Sequence, residues 1–238
     1  MKHHNFIDAR EAEPRIPTFS QRVRFCPSRL IVLLLVLACS SVVFAGEIHE
    51  AVKENDSAKV KRLIKDQPDL VFSKDEDGFT PLHLAAANGS KELSEFLVEN
   101  RSEVNARDNN GSTPLHQAVT AEGQHNDVAE MLLAHKAVVN TSDKSGLTPL
   151  HYATLANNAN AVKLLLSHGA DANAKDSVEG NTPLIIAAGK GFKEVAEALL
   201  ARGADVNVAD KMGTPLTWAL HTGHTKMADL LRQHGGHE

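Results

Sequence analysis

Residues 75–89, DEDGFTPLHLAAANG, carry the pattern that decides the fold of this 238-residue chain. The tripeptide Thr-Pro-Leu at the centre of this stretch occurs five times along the sequence. Its copies begin at Thr80, Thr113, Thr148, Thr182 and Thr214, at spacings of 33, 35, 34 and 32 residues. Self-similarity at a period of this length is typical of repeat architectures. We therefore expect five copies of one structural unit stacked along the chain.

Each copy predicts a pair of short helices. Threonine is a favourable helix N-cap, and proline fits the first helical position because an N–H there would have no partner within the helix. The second half of each unit places apolar residues three and four positions apart, as in VKLLLSHG at 162–169. This spacing is typical of an amphipathic helix. One helix pair cannot cover its own apolar face, so neighbouring units are expected to stack on it.

The longer frame Asp-x-x-Gly-x-Thr-Pro-Leu-His-x-Ala, with a closing Ala-Asp-x-Asn, resembles the ankyrin repeat in length and in its signature residues. The resemblance implies an all-α ankyrin-repeat solenoid of helix pairs with short β-turn or hairpin tips. It assigns five ankyrin repeats to residues 75–238, the last acting as the C-terminal cap. Residues 46–74 lack Thr-Pro-Leu and are interpreted as a degenerate N-terminal capping repeat.

Residues 1–45 predict a secretory signal peptide. The apolar run Leu30–Leu37 follows Arg22, Arg24 and Arg29, and it ends near the small-residue pattern Val43–Ala45. A basic flank, a short apolar segment and a small-residue end are the marks of a cleaved export signal. The run is also shorter than the ~20 residues that a membrane-spanning helix needs. We expect cleavage after Ala45 and export to a bacterial periplasm.

Two alternatives would keep the chain at a membrane through this segment alone. The stretch Val36-Leu37-Ala38-Cys39 resembles a bacterial lipobox, in which Cys39 would carry a lipid, and an uncleaved segment would act as a signal anchor. Cys26 and Cys39 are the only cysteines of the chain. A product that starts at Gly46 would therefore have no disulfide and no thiolate metal site.

Composition and motifs exclude several classes of function. The 19 basic and 27 acidic side chains after residue 45 give that part a net charge of −8, which disfavours nucleic-acid binding. The sequence contains no Gly-rich phosphate loop, H-E-x-x-H, C-x-x-C or G-x-S-x-G motif. The pairs His221/His224 and His234/His237 lack a third ligand at a fixed position. We expect no enzymatic activity, no cofactor and no metal site.

Three histidines, His83, His116 and His151, each follow Thr-Pro-Leu at the same position of the frame. They could be read as a row of metal ligands or general bases. We favour a structural role, in which each imidazole bonds backbone groups of the neighbouring turn and ties one repeat to the next. Ile185 and Thr217 replace histidine in the last two copies without loss of the frame.

Most of the second helices end in a glycine at a position suited to left-handed backbone. These glycines are Gly169, Gly203 and Gly235, whereas Arg101 and Lys136 take the same position in the first two full repeats. Glycine adopts this conformation at no steric cost, while a residue with a Cβ pays for it. We therefore expect both of these turns to be strained.

In ankyrin arrays, the variable tips and the exposed ends of the first helices form a concave surface that binds other proteins. The resemblance therefore implies a partner-binding surface made of Glu76, Asp77, Phe79, Asn109, Asn110, Lys144, Leu147, Leu155, Val178, Lys190 and Met212. Phe79, Leu147, Leu155 and Met212 are apolar where the frame does not require it, which favours a contact surface.

The predicted function is non-catalytic binding of a protein partner whose identity the sequence does not reveal. The chain is expected to be a monomeric, soluble periplasmic adaptor or inhibitor that holds its partner on the concave face. The alternative is a scaffold tethered to the membrane by the N-terminal segment.

Tyr152 and Trp218 share a frame position that packs between units, so we expect both in the core.

Overall fold

The computed structural model describes residues 46–120 and 126–238. The predicted signal peptide, the Cys39 lipid site and the signal anchor lie in residues 1–45, outside the described residues. Within the described ranges the chain forms twelve α-helices and no strand. They are α1 (46–53), α2 (Ser57–Asp66), α3 (Pro81–Ala87), α4 (Lys91–Glu99), α5 (Pro114–Thr120), α6 (Asn126–Ala134), α7 (Pro149–Leu155), α8 (Ala159–Ser167), α9 (Pro183–Lys190), α10 (Lys193–Leu200), α11 (Pro215–His221) and α12 (Thr225–Gln233).

The predicted all-α repeat architecture is confirmed, and it has two layers. The odd-numbered helices, here called the first helices, pack against one another, and the even-numbered second helices form the other layer. A short 3-10 helix over Pro68–Phe72 follows α2. None of the helices over 46–120 and 126–238 is long and apolar enough to cross a membrane.

One apolar core runs through the array, from Ile48 in α1 to Leu231 in α12. The leucine of each Thr-Pro-Leu starts this core and is at most 3% exposed. Alanine pairs such as Ala85-Ala86 are fully buried as well, because small side chains let neighbouring helices approach closely. The core is therefore continuous across units, as expected for units that cannot bury their apolar faces singly.

The tips are tight turns that precede α3, α5, α7, α9 and α11, over 75–79, 108–112, 143–147, 176–181 and 210–213. An aspartate closes each turn. In the third tip, Asp143 Oδ1 accepts hydrogen bonds from the backbone N–H groups of Ser145 and Leu147 at 2.8 and 2.9 Å. Of the two predicted forms, turn and hairpin, the described tips therefore take the turn.

Backbone hydrogen bonds join each tip to the next. The Lys144 N–H donates to the Asn110 carbonyl at 2.8 Å, and the Ser177 N–H donates to the Ser145 carbonyl at 2.8 Å. Gly146 permits the latter approach, because a Cβ at this position would lie 2.6 Å from the Ser177 nitrogen and φ is +80°. The tips therefore form a ladder whose spacing is set by the backbone.

In the loops that follow α4, α6, α8 and α10, an asparagine joins each repeat to the following one. The Asn140 side chain donates to the Gly169 carbonyl at 3.1 Å and accepts from the Asp171 N–H at 2.9 Å. The same pair of bonds is made by Asn105, Asn173 and Asn207. The Asn of the closing Ala-Asp-x-Asn frame is therefore a bridge between units.

The histidines of the frame bridge units within the core. His83 Nδ1 accepts from the Thr80 N–H at 3.1 Å, and its Nε2 lies 3.1 Å from the Ser112 carbonyl of the next unit. A backbone N–H can only donate, so Nδ1 is unprotonated and Nε2 carries the proton. His116 and His151 make the same contacts. The predicted structural role is confirmed, and both ring nitrogens of each are occupied.

A fourth histidine of this kind escaped the sequence analysis. His49 in α1 is buried, and its Nε2 lies 2.9 Å from the Phe79 carbonyl of the first tip. Ile48-His49 precedes Leu82-His83 by 34 residues, which is one repeat period. That spacing could have identified His49 as equivalent to His83. The equivalence was missed because no Thr-Pro-Leu precedes His49.

Burial lowers the pKa of His83, His116 and His151, and it brings that of His116 to about 4. The unfolded chain takes up protons on these groups below their ordinary pKa of 6.5, whereas the folded chain does not. Stability contributed by the neutral rings is therefore complete above pH 6.5 and declines as the pH falls toward the folded-state pKa. Each ring contributes a slope of at most about 1.4 kcal/mol per pH unit.

We predict that the free energy of unfolding decreases steeply between pH 6.5 and pH 5, measured by urea denaturation. In His116→Ile the slope of this decrease should be smaller by the contribution of one histidine. Stability at pH 7 should be lower, because the three hydrogen bonds of the ring to the Thr113 N–H, the Thr113 hydroxyl and the Leu147 carbonyl are lost. Isoleucine is a suitable replacement because Ile185 fills the same position in the fourth copy. An equal slope in the variant and the unsubstituted protein would contradict this role of the ring.

The structure also confirms the left-handed turns predicted after the second helices. Gly169, Gly203 and Gly235 have φ of +83°, +83° and +85°, and Arg101 and Lys136 have φ of +71° and +67°. Left-handed backbone costs a residue with a Cβ about 1–2 kcal/mol. A substitution by glycine relieves this cost, but it also raises the conformational entropy of the unfolded chain, which lowers the free energy of unfolding by about 0.4–1 kcal/mol.

We predict that Arg101→Gly and Lys136→Gly each stabilise the protein by about 0.5–1 kcal/mol, the difference between these two effects. The melting temperature should rise by about 1–3 °C, as measured by calorimetry. Arg101→Ala and Lys136→Ala are the matched controls, since they remove the charge but keep the Cβ. If the alanine variants gain as much as the glycine variants, backbone strain is not the cause.

Candidate functional site

The candidate site is the surface formed by the tips and the exposed ends of the first helices, called here the tip face. Nine of the eleven predicted partner-binding residues are exposed on it. The other two, Phe79 and Leu147, are only half-buried tip residues. The Phe79 ring packs against the His83 ring, with centroids 5.7 Å apart. The Phe79 side chain therefore serves the packing of its tip as well as the surface.

Three apolar side chains on the tip face are exposed to solvent. Leu155 at the end of α7 is 46% exposed, Val178 in the fourth tip is 57% exposed, and Met212 in the fifth tip is 65% exposed. They lie in three consecutive units. Exposed apolar groups that recur on one face of a soluble fold mark a contact surface.

A groove of about 360 Å³ opens between α7, α9 and α11 on this face. Leu155, Ile185 and Ile186 give it apolar walls, and the Trp218 ring closes one side. Lys190 also lines it, so a positive charge lies beside the apolar surface. The lining unites two of the predicted partner-binding residues, Leu155 and Lys190, with residues that the prediction had omitted.

Gly189 explains why the groove lies at this unit. A Cβ at Gly189 would contact the Trp218 ring at 3.5 Å, so the space beside that ring is left free by the missing side chain. The other first helices carry a side chain at the same frame position, namely Lys53, Ala87, Thr120, Leu155 and His221. The groove is therefore a local departure from the repeat rather than a feature of every unit.

The two aromatic residues that were expected in the core are instead half-buried. The Trp218 Nε1–H donates to Asp210 Oδ2 at 2.8 Å, and the Tyr152 hydroxyl donates to Asp143 Oδ2 at 2.9 Å. Both rings pack between units as expected, with the Tyr152 ring centroid 5.0 Å from that of His116 and Trp218 beside Gly189. Neither is fully buried, because each ring has a polar group that reaches the aspartate of its own tip. Burial raises the pKa of Tyr152, so its hydroxyl stays protonated and keeps donating.

The fourth tip is held in shape by its aspartate. Burial raises the pKa of Asp176, but hydrogen bonds from the Asn181 side chain and from backbone N–H groups outweigh that effect and lower it. The carboxylate accepts from the N–H groups of Val178, Glu179 and Gly180 at 3.0, 2.8 and 3.0 Å. These bonds fix the loop that presents Val178 to solvent.

In the part of the chain that the structure describes, no group of three or more His, Cys, Asp and Glu side chains is arranged to hold a metal ion. The candidate site is thus an apolar and charged surface, which suits binding of another macromolecule.

Comparison with known proteins gives relatives that match over part of their own length. The chain is 34% identical over 228 residues to the potassium channel SKOR of Arabidopsis thaliana, which covers 95% of this chain and 26% of the channel. It is 36% identical over 58 residues to the probable 26S proteasome regulatory subunit p28 of Saccharomyces cerevisiae, covering 24% of this chain and 25% of that protein.

A third relative is the ankyrin repeat domain-containing protein 49 of Drosophila melanogaster, 41% identical over 49 residues, which cover 21% of this chain and 23% of that protein. The chain spans about a quarter of the length of each of these relatives. All three are eukaryotic proteins, and none of these comparisons supports the predicted export or bacterial origin.

The family described as ankyrin repeats (3 copies) matches residues 48–143, 120–176 and 173–238. These matches cover most of the chain and include the opening unit with His49. The match agrees with the stacked helix pairs, the tip ladder and the bridging histidines and asparagines of the structure. The chain belongs to the ankyrin repeat family.

Proposed function

We propose that this protein binds a partner protein on its tip face, with the groove between α7, α9 and α11 at the centre of the contact. Ankyrin repeats are protein-binding modules and are generally not catalytic. The observation that carries the proposal is the exposure of Leu155 in the lining of that groove and of Val178 and Met212 in the fourth and fifth tips. Apolar side chains at the centre of an interface contribute most of its binding energy once water is excluded.

The tip face is also built to be rigid, which lowers the entropic cost of binding. Backbone bonds between successive tips and the aspartate-centred turns hold Leu147 and Val178 on their loops. A partner therefore meets a preformed surface. The frame leaves the identity of the tip residues free, so the surface can be specific for one partner.

We predict that the triple variant Leu155→Lys, Val178→Lys and Met212→Lys loses its partner. All three side chains are exposed, so the melting temperature should stay within about 2 °C of the unsubstituted protein. The measurement is affinity capture from the native source, followed by mass spectrometry of the retained proteins. A drop of tenfold or more in the specifically retained protein is expected.

Val138→Lys is the matched control. Val138 is 52% exposed but lies in the loop after α6, on the edge of the second helices. It should retain the partner at the level of the unsubstituted protein. Retention of the same proteins by the triple variant would refute binding on the tip face.

For cellular location, we propose that the chain is exported and acts as a soluble periplasmic adaptor or inhibitor. The support is the basic flank, the apolar run Leu30–Leu37 and the small-residue pattern that ends at Ala45.

We predict that the mature protein begins at Gly46, as measured by the intact mass of the protein purified from its native source. The variant Ala45→Arg should accumulate as the uncleaved precursor, because the cleavage pattern needs a small residue there. A mature chain that starts at a lipid-bearing Cys39, or one that keeps residues 1–45, would instead support the membrane-tethered scaffold.

A further inference from the structure

The charges of the tip face are separated along the array. Glu76 and Asp77 in the first tip are exposed and have no ion-pair partner among the described residues. The same holds for Lys144 in the third tip and for Lys190 at the end of α9. The tip face therefore carries unpaired carboxylates toward its N-terminal end and unpaired ammonium groups in its third and fourth units.

Other charges near the groove are already neutralised within the protein. The Lys211 ammonium lies 3.5 Å from a Glu179 carboxylate oxygen and also donates to the Val178 carbonyl. The Asp210 carboxylate is occupied by the Trp218 indole and by backbone N–H groups. Lys190 is thus the charge in the groove lining that a partner is able to pair with.

The apolar walls and the free charge occur together in one groove. Gly189 makes the space beside the Trp218 ring, and Lys190 follows directly in sequence at the rim of the same groove. An apolar side chain that entered this space would place the next residues of its chain beside the ammonium group. A carboxylate there would gain a charge-assisted contact at the edge of an apolar surface.

From this arrangement we infer that the groove binds an extended segment of the partner, in which an apolar residue fills the space beside Trp218 and a neighbouring Asp or Glu pairs with Lys190. Basic residues of the same segment lie toward Glu76 and Asp77. The inference rests on the proposed function, because it specifies which kind of protein segment the tip face holds.

The spacing of the units sets the length of the segment. The first tip and the unit of Lys190 are three repeats apart, and helices pack at about 8–10 Å, so the separation is roughly 30 Å. Extended chain covers about 3.4 Å per residue, so the acidic and basic groups of the segment are about nine residues apart. A helical segment of that length would be too short to reach both ends.

The test uses peptides of about 16 residues selected from a random library displayed on phage, with the full chain as bait. Selected peptides are labelled with a fluorophore, and their affinity is measured by anisotropy. We expect enrichment of a large apolar residue next to Asp or Glu. In Lys190→Glu these peptides should bind at least tenfold more weakly, and replacing their acidic residue by Lys should restore binding to that variant.

Groove variants test the apolar part of the site. Gly189→Leu should abolish binding by filling the space beside Trp218, and Gly189→Ala should weaken it. Gly189→Ala also tests folding, since its Cβ makes an ordinary contact with the ring and alanine is the better helix former, so its melting temperature should rise. Ala87→Leu, at the same frame position in α3, is the matched control and should leave binding unchanged.

Several outcomes would overturn the inference: no selected peptide, selected peptides that lack an Asp or Glu or lack an apolar residue, or affinities that do not change in Lys190→Glu. If the triple variant at residues 155, 178 and 212 no longer binds the peptides but Lys190→Glu binds them with unchanged affinity, only the charge-specific inference fails. If the triple variant keeps both its peptides and its captured partner, the proposed function fails as well.

Discussion

The structure depends on the fact that each helix pair leaves an apolar face that only the next pair covers. The leucine that opens each first helix is nearly inaccessible to solvent because residues about 33 positions away lie against it. Each unit therefore derives its stability from its neighbours, and the array folds as a series of coupled units. Stacking also explains why the exposed surface is repetitive in shape and variable in composition: the core positions are constrained, and the tips are not.

Stacking buries backbone polar groups, and three kinds of bridge satisfy them. The tip ladder pairs backbone with backbone, the asparagines pair amide groups with the following turn, and the histidines reach a tip carbonyl of the next unit. An unpaired buried polar group is costly, so these bonds define one register between units and penalise all others. That register sets the spacing of the tips. It therefore also sets the distance between the acidic end of the tip face and Lys190.

Departures from the frame account for the candidate site. Gly189 removes a side chain where every other first helix has one, and Ile185 replaces the bridging histidine beside it. Trp218 then has open space on one side while its indole N–H remains bonded to Asp210. In a scaffold whose core residues repeat, a position that breaks the pattern without unfolding the unit is available for binding. Fold and function thus occupy different positions of the same repeat.

The sequence by itself determined the period, the helix pairs, the buried leucines, the histidine bridges and the left-handed turns at Arg101 and Lys136. These features follow from local patterns that recur in every unit, so each copy supports the interpretation of the others. Only the tertiary structure decided that Phe79 and Leu147 are half-buried, that Trp218 and Tyr152 are half-exposed, and that His49 is a fourth bridge. It also placed Gly189 against Trp218 to form the groove. The reason is physical. The exposure of a side chain in a stacked array depends on residues one repeat away, and the pattern within one repeat does not show which of those residues lie against it.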